Sequence, residues 1–152
     1  MNNRGVSPVV ATLLLISFAV ALGIGIMTLG RAQVEQEAQC AIDVNLKLAT
    51  INDSSQICYN SEEKIIQFTI ENGDNIKVQG LVVNVIGTEK AETFEINDAV
   101  IEKTGSYVGI IPYDNEVAGE IRQIKITPGV NLFDEELICT EKSLTLEEIE
   151  LC

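Results

Sequence analysis

The chain has 152 residues, of which 23 are acidic and 10 basic, and its net charge is −13. All the acidic residues follow Arg31, so the part after Arg31, with eight basic residues, carries a net charge of −15. Nucleic-acid binding depends on neutralising phosphates with lysine and arginine. Nucleic acid is therefore excluded as an expected partner, and so is close contact of this acidic part with an anionic membrane surface.

The chain lacks histidine and the sequence motifs of common catalytic chemistry. There is no histidine, which is the commonest general base near neutral pH. There is also no glycine-rich phosphate loop, HExxH motif or nucleophile elbow. The acidic run Asp134–Glu136 is interpreted as a solvated turn in preference to a calcium site. We therefore expect a protein that is not an enzyme and that binds no cofactor and no metal.

The first predicted element is a long apolar helix. Val9–Gly30 contains 22 residues without a charged side chain. As a helix this run would be about 33 Å long, enough to cross a bilayer core. It is longer than the apolar region of about 7–15 residues in a removable secretory signal, and apolar on too many faces for a buried core helix. We predict one continuous helix over Pro8–Gln39 that spans the membrane.

Small residues recur along this predicted helix. At i+4 spacing they form two rows. The first row is Ser17, Ala21 and Gly25, and the second is Ala19 and Gly23. Small rows let helix backbones approach closely in an apolar medium. The alternative is chance, because glycine and alanine are common in membrane helices. We expect these rows to pack against other helices.

The residues before the apolar run identify a family resemblance. Arg4–Val10 reads RGVSPVV and leads into an alanine- and glycine-rich apolar run. This pattern, over Arg4–Gly30, resembles the N-terminus of archaeal type IV pilins and of the related archaellins. Bacterial type IV pilins typically carry glutamate at the fifth mature position, where this chain would have Val10, so the bacterial branch fits poorly.

The resemblance implies a processing step and an assembly. A prepilin peptidase would remove a leader of residues 1–5, cutting between Gly5 and Val6, or after Arg4 as the second choice. Residues 6–39 would then form the transmembrane and polymerisation helix, whose copies pack into a filament core. Residues 40–152 would form the exported domain. The implied partners are the chain itself, the prepilin peptidase, the pilus assembly machinery, and the membrane before assembly.

The part after the helix alternates apolar and polar residues at period two, which predicts strands. The first predicted strand has Ile42, Val44, Leu46 and Leu48 on one face. A second, around 66–70, would form a hairpin with a return strand from Ile76 through the turn Asn72–Asn75. The apolar parity of that return strand switches at Gly80, which predicts a bulge or bend.

Further strands are predicted from Thr93 to Ile96 after a turn at Gly87–Lys90, from Tyr107 to Pro112, and from Ile121 to a stop at Pro128–Gly129. Leu144–Leu151 is interpreted as a last strand. The regular spacing of strands and turns predicts a small antiparallel β-sandwich, so the fold class is α+β. An immunoglobulin-like topology is implied by the resemblance.

Four cysteines follow the helix, at positions 40, 58, 139 and 152, and none forms a CxxC pair. Without histidine or a close thiol pair, two disulfides in an oxidising compartment fit better than zinc or free thiols. Three pairings satisfy the sequence. We favour Cys40–Cys58, at the junction of helix and domain, and Cys139–Cys152, which would hold the C-terminal tail.

The sequence also contains one Asn-x-Ser/Thr sequon, Asn52-Asp53-Ser54, in a predicted turn. An exposed sequon in an exported domain is a candidate glycosylation site, and an ordinary turn is the alternative.

These features lead to a structural subunit of an extracellular archaeal type IV pilus-like filament as the expected function. The membrane-inserted precursor would have its N-terminus in the cytoplasm, and the mature chain would lie at the cell surface. The alternatives are an archaellin of a motility filament, a minor subunit, or a membrane-anchored exported binding module. The sequence does not separate adhesion from motility.

Overall fold

The computed structural model describes residues 8–52, 54–132 and 135–152. The chain divides into two compact units, one ending at Gln36 and the other comprising Glu37–Cys152. The architecture is α+β: an apolar N-terminal helix and a mostly antiparallel β region.

Helix α1 runs over Pro8–Asp43, one turn further than the predicted end at Gln39. Cys40 and Val44 are both buried, and the amide of Val44 donates to the carbonyl of Cys40 at 3.2 Å. A backbone bond from an amide to the carbonyl four residues earlier is the bond of an α-helix, not of a strand. The predicted strand from Ile42 is therefore wrong over its first half, and only Leu46–Leu48 is extended.

The remaining elements of the described chain are short strands with two helical turns. The strands are β1 Leu46–Leu48, β2 Thr50–Ile51, β3 Ser54–Ser55, β4 Ile57–Asn60, β5 Ile65–Asn72, β6 Val78–Gly87, β7 Ala91–Ile96, β8 Ser106–Pro112, β9 Ile121–Leu132, β10 Glu135–Ile138, β11 Leu144–Leu146 and β12 Glu150–Leu151. Helix α2 covers Asn115–Ala118, and a 3₁₀ turn covers Thr140–Lys142.

Strand β5 is the centre of the first five-stranded sheet. It pairs with β8 on one edge, and with β1 and β4 in succession on the other. The hairpin β2–β3 leaves this second edge between Ala49 and Gln56. Both of these residues bond to Thr69 of β5, at 2.9 and 2.8 Å. Thus β1 and β4 form one interrupted edge with a small hairpin inserted in it, and β12 pairs parallel to β4.

Strand β9 is the centre of the second five-stranded sheet. Strand β6 lies on one side of it, followed by β7, while β10 and β11 share the other side. The turn predicted at Gly87–Lys90 connects β6 to β7, with the amide of Gly87 donating to the carbonyl of Lys90 at 2.9 Å. The predicted strand after this turn is confirmed as β7.

One buried cluster draws side chains from both sheets. The first sheet contributes Ile66, Phe68 and Ile70 of β5 and Ile111 of β8; the second contributes Val83 and Val85 of β6 and Ile124 and Ile126 of β9. These are alternate residues of their strands, so the period-two pattern of the sequence is the pattern of burial. The packing of this cluster stabilises the strand-rich unit through removal of apolar surface from water.

The hairpin predicted at Asn72–Asn75 is wrong, because β5 and β6 belong to different sheets. A type I′ hairpin turn requires positive φ at both central residues. The described residues with positive φ are Asn52, Lys64, Thr104 and Gly119, and none lies in this turn. The chain instead crosses from one sheet to the other, and the amide of Gly73 donates to the carbonyl of Asn45 at 2.9 Å.

The irregularity predicted at Gly80 is confirmed, since the β6–β9 register shifts between Val78 and Gly80. The predicted stop at Pro128–Gly129 is wrong, because β9 continues to Leu132. Pro128 lies beside the bulge, at the gap between the stretches of β9 that pair with β10 and β11. A missing N–H is tolerated at such an interruption of the ladder.

The C-terminal strand prediction is correct only in part. Residues 144–151 form two short strands, and each belongs to a different sheet. Strand β11 pairs with β9, and β12 pairs with β4. The chain therefore ends against the first sheet, and the amide of Cys152 donates to the carbonyl of Tyr59 at 3.1 Å.

Candidate membrane and assembly segment

The segment Pro8–Arg31 of α1 is long and apolar enough to cross a membrane. None of it is buried. Its large apolar side chains from Val9 to Leu29 are each between 47% and 72% exposed. A soluble helix normally turns an apolar stripe toward a core. Within the described chain this segment exposes apolar side chains all round, which suggests insertion in a membrane or a signal sequence.

The hydroxyl groups of this segment are satisfied within the helix. The hydroxyl of Thr12 donates to the carbonyl of Val9 at 2.9 Å, and that of Ser17 donates to Leu13 at 2.8 Å. The hydroxyl of Thr28 donates to the carbonyls of Ile24 and Gly25, both at 3.0 Å. Such bonding to the preceding turn removes the need for water or a polar partner. Thr12 and Thr28 are not among the residues predicted from the sequence, because bonding of this kind is ordinary for threonine in any helix.

No contact within the described part of the chain explains the glycines of the helix. A Cβ atom added at Gly23, Gly25 or Gly30 would meet nothing within 4 Å. Within the strand-rich unit the situation differs: a Cβ at Gly87 would collide with the carbonyl of Ala118, and one at Gly109 would collide with the Phe68 ring. Glycine costs a helix interior about 1 kcal/mol relative to alanine. The helix glycines therefore carry a cost that no contact within the described chain offsets.

The two predicted rows of small residues lie on opposite sides of the helix. At about 100° per residue, Ser17, Ala21 and Gly25 follow one face centred on Ala21. Ala19 and Gly23 are each two residues from Ala21. The second row is therefore centred about 180° around the helix axis from Ala21. Backbone is thus accessible to close approach from two opposite directions.

The residues of the predicted processing site, Arg4, Gly5 and Val6, lie outside the described residues, as does Ser7.

All four cysteines are paired, but the favoured pairing is wrong. The disulfides are Cys40–Cys139, with Cα atoms 5.5 Å apart, and Cys58–Cys152, with Cα atoms 5.0 Å apart. The pairing follows from the sheets. Strand β12 pairs beside β4 and places residue 152 next to Cys58, whereas Cys139 follows β10.

The Cys40–Cys139 disulfide joins the last turns of α1 to the second sheet. Its two residues are only 3% and 1% exposed, so the bond lies within the core cluster. The disulfide predicted at the junction of helix and domain is therefore present, but Cys40 pairs with a cysteine that lies 99 residues further along the chain. Disulfides of this kind are typical of oxidising compartments.

The sequon residue Asn52 directly follows β2, which pairs with β3. It is exposed, and its φ of 52° is in the left-handed region that asparagine tolerates. The asparagine side chain is thus sterically accessible.

The clearest charge cluster of the strand-rich unit lies at α2. The ammonium of Lys64 is 2.8 Å from a carboxylate oxygen of Asp114 and 2.9 Å from one of Glu116. These bonds raise the pKa of Lys64 above its usual range. The bond from Lys64 also lowers the pKa of Asp114, which caps α2 by accepting from the amide of Glu116. All three side chains are substantially exposed, so the cluster orders a turn and adds little stability.

No group of three or more histidine, cysteine, aspartate or glutamate residues suited to a metal ion occurs in the described part of the chain. Comparisons with models of protein families, with curated proteins and with solved structures give no match to this chain. The candidate site is therefore defined by its own physical properties: an exposed apolar helix with small rows, joined to a disulfide-bonded strand-rich unit.

Proposed function

We propose that this chain is the structural subunit of an extracellular filament of the archaeal type IV pilus kind. The observation that carries the proposal is the set of helix glycines, which nothing within the described chain requires. A helix that only anchors a protein in lipid gains nothing from accessible backbone. A helix packed among copies of itself gains close contact between backbones. The N-terminal resemblance supports the same assignment.

In the proposed mechanism the apolar helix exchanges lipid for sibling helices. Its backbone and its hydroxyls need no external partner, so both environments are acceptable. Rows on opposite sides allow each helix to contact one neighbour with one face and another neighbour with the other face. Contacts between different faces of identical subunits form a ring when the rotation closes and an open helical filament when it does not.

The strand-rich unit would form the exported surface of the filament. Two sheets that share one core support its assignment as a β-sandwich, and the resemblance suggests immunoglobulin-like topology. The disulfides and the acidic surface suit an extracellular location. Asn52 is the proposed glycosylation site. A prepilin peptidase and an assembly machinery would act on the membrane-inserted precursor.

The test is to isolate surface filaments from cells expressing this chain, to image them, and to sequence the N-terminus of their main component. We expect density for this chain along the whole filament and a mature terminus at Val6. Density confined to a filament tip would make it a minor subunit. Filament rotation in swimming cells would identify the archaellin alternative.

A second candidate is a membrane-anchored exported binding module, since the 24-residue span Pro8–Arg31 also fits a plain anchor. Recovery of the full-length chain in membranes, with no filament, would establish that candidate and reject the subunit proposal.

Replacing Gly25 by leucine is expected to lower filament yield at least several-fold. The residue stays apolar, so insertion in the membrane should be unchanged, but its side chain would hold neighbouring helices apart. Filament yield per membrane-inserted chain is the measurement. Val20→Leu, on the helix face between the two rows, is the control and should assemble normally. Equal yields for both variants would mean that Gly25 does not face a neighbour.

Replacing Gly5 by leucine is expected to leave full-length precursor in the membrane and few filaments. The proposed peptidase must accommodate the residue before the cut, and a bulky side chain there would block it. Mass spectrometry of the chain's N-terminus gives the processed fraction. Asn3→Leu, further from the cut, serves as the matched control. Normal processing of Gly5→Leu would contradict the assigned cleavage position.

A further inference from the structure

The two sheets end in free edge strands of contrasting character. Strand β8 pairs only with β5, and β7 pairs only with β6, among the strands that the structure describes. Free edges are templates for pairing with another chain, and proteins usually protect them with charges. Strand β7 carries Glu92 and Glu95, and the side chain of Glu92 is only 23% exposed. Strand β8, with the sequence SYVGIIP, carries no charge in its seven residues.

The unprotected edge is also apolar. Val108 and Ile110 point away from the core and are 54% and 58% exposed. Their neighbours across the ladder on β5 are Thr69 and Gln67, which are polar. Apolar side chains on the outer face of this part of the sheet are therefore concentrated on the edge strand, where an added strand would cover them.

The hydrogen bonds at both ends of β8 determine which main-chain groups are free. The amide of Tyr113 donates to the carbonyl of Lys64 at 2.8 Å, and the amide of Asn72 donates to the carbonyl of Gly105 at 2.9 Å. In an antiparallel ladder, alternate residues point their N–H and C=O groups at the partner. Residues 107, 109 and 111 therefore bond β5, and the main-chain groups of Ser106, Val108 and Ile110 point to the open edge.

We propose that β8 pairs antiparallel with β8 of a second copy of this chain, about a two-fold axis at Gly109. In this register two equivalent pairs form, and in each of them Val108 of one copy lies opposite Ile110 of the other. Both are residues whose main-chain groups are free, so each pair exchanges two N–H···O bonds. Ser106 lies opposite Pro112, which lacks an N–H but can accept through its carbonyl. The exposed side chains of Val108 and Ile110 then cover one another across the axis.

A second copy suits this edge better than a basic partner. The part of the chain after Arg31 has a net charge of −15, and β8 is an uncharged strip on it. A basic peptide would find no carboxylate on this strand, whereas a second β8 matches its uncharged apolar strip and its free main-chain groups, against repulsion between the acidic domains around it. A stable protein–protein interface buries about 800 Å² on each partner, more than one strand supplies. The pairing is therefore weak alone and becomes important where copies are concentrated.

This contact goes beyond the proposed filament. Neighbours within a polar filament are not related by a two-fold axis, so β8–β8 pairing would join two filaments of opposite direction side by side. The same contact would form between separate chains, and it does not depend on the filament proposal.

The test uses the full chain in excess detergent micelles, so that each micelle holds one helix. Sedimentation over increasing protein concentration is expected to show a dimer whose affinity rises with added salt, since salt screens repulsion between the acidic domains. Val108→Lys should weaken the association by about tenfold or more. Val117→Lys, at a residue that is 62% exposed on α2, should leave it unchanged.

Hydrogen exchange gives a second readout on the same samples. The amides of Val108 and Ile110 should exchange fast at low protein concentration and become protected as the dimer forms, while those of the buried strand β6 stay protected throughout. Fast exchange of Val108 and Ile110 at every concentration would overturn the proposal. Equal association of the Val108→Lys and Val117→Lys variants would overturn it too, as would association that weakens with added salt.

Discussion

Replacement of Asn72 by aspartate is expected to destabilise the strand-rich unit by about 3–5 kcal/mol at neutral pH. Asn72 is only 6% exposed. Its amide nitrogen donates to the carbonyls of Ile76, Glu102 and Ile101 at 2.7, 3.2 and 3.3 Å. An aspartate has the same shape, but it would direct a carboxylate oxygen at these carbonyl oxygens and bury an unpaired charge. The second carboxylate oxygen would gain no hydrogen bond, because Oδ1 of Asn72 is already buried without a partner among the described residues.

The sign of the pH dependence follows from burial of that charge. Burial without a donor raises the pKa of the new carboxyl in the folded state above its unfolded value of about 3.9. The penalty is therefore complete above the folded pKa. It decreases as the pH falls below that value, and it vanishes below the unfolded pKa. The loss of the amide donor remains at all pH values.

Denaturant unfolding of the full chain in detergent, at neutral pH and near pH 4, measures this effect. Asn84→Asp is the matched control, because Asn84 accepts from the hydroxyl of Thr93 at 2.8 Å and a carboxylate can do the same. It makes the same change of net charge and should alter stability by less than about 0.5 kcal/mol. Equal stability of the two variants would mean that Asn72 does not hold the crossover between the sheets.

Removal of the Cys40–Cys139 disulfide is expected to cost several kcal/mol. The bond closes a loop with a sequence separation of 99, and that of Cys58–Cys152 is 94. The chain-entropy treatment assigns about 4.7 kcal/mol to a loop of 100 residues, within a measured range of about 0–5 kcal/mol. Because Cys40 and Cys139 are buried in the core, replacing both by alanine also removes packing there.

The double variant Cys58→Ala/Cys152→Ala is the comparison. Its loop is almost as long, but Cys152 is exposed, so less packing is lost and the destabilisation should be smaller. Denaturant unfolding of both double variants, beside the reduced native chain, gives the two values. Non-reducing peptide mapping checks the connectivity independently. A Cys40–Cys58 peptide would reinstate the pairing favoured from the sequence, and a loss below about 1 kcal/mol in both variants would contradict the entropic argument.

Local patterns in the sequence predicted most of the strands. Alternation of apolar residues located β5, β7 and β8, and the parity switch at Gly80 located the bulge in β6. Each of these features depends on whether a side chain points to the core or to solvent. That choice repeats every second residue along a strand, so it can be seen in the order of residues alone.

The errors share a different cause. Asn72–Asn75 has the composition of a hairpin turn, yet it connects two sheets, because the buried Asn72 side chain bonds the carbonyls of Ile76, Ile101 and Glu102. Pro128 has the composition of a strand end, yet β9 passes through it where its ladder is interrupted. In both cases contacts with distant residues overrode the local preference.

The order of residues was enough to predict the apolar segment Val9–Gly30, the acidic remainder, the alternating strands and the presence of two disulfides. These are properties of composition and short-range order. The fold was needed to show that Cys40 joins Cys139, that Cys152 lies beside β4, and that β8 is a free edge among the described strands. Such facts depend on which strands are neighbours. Neighbours are selected by the joint burial of side chains far apart in the chain, which no local pattern records.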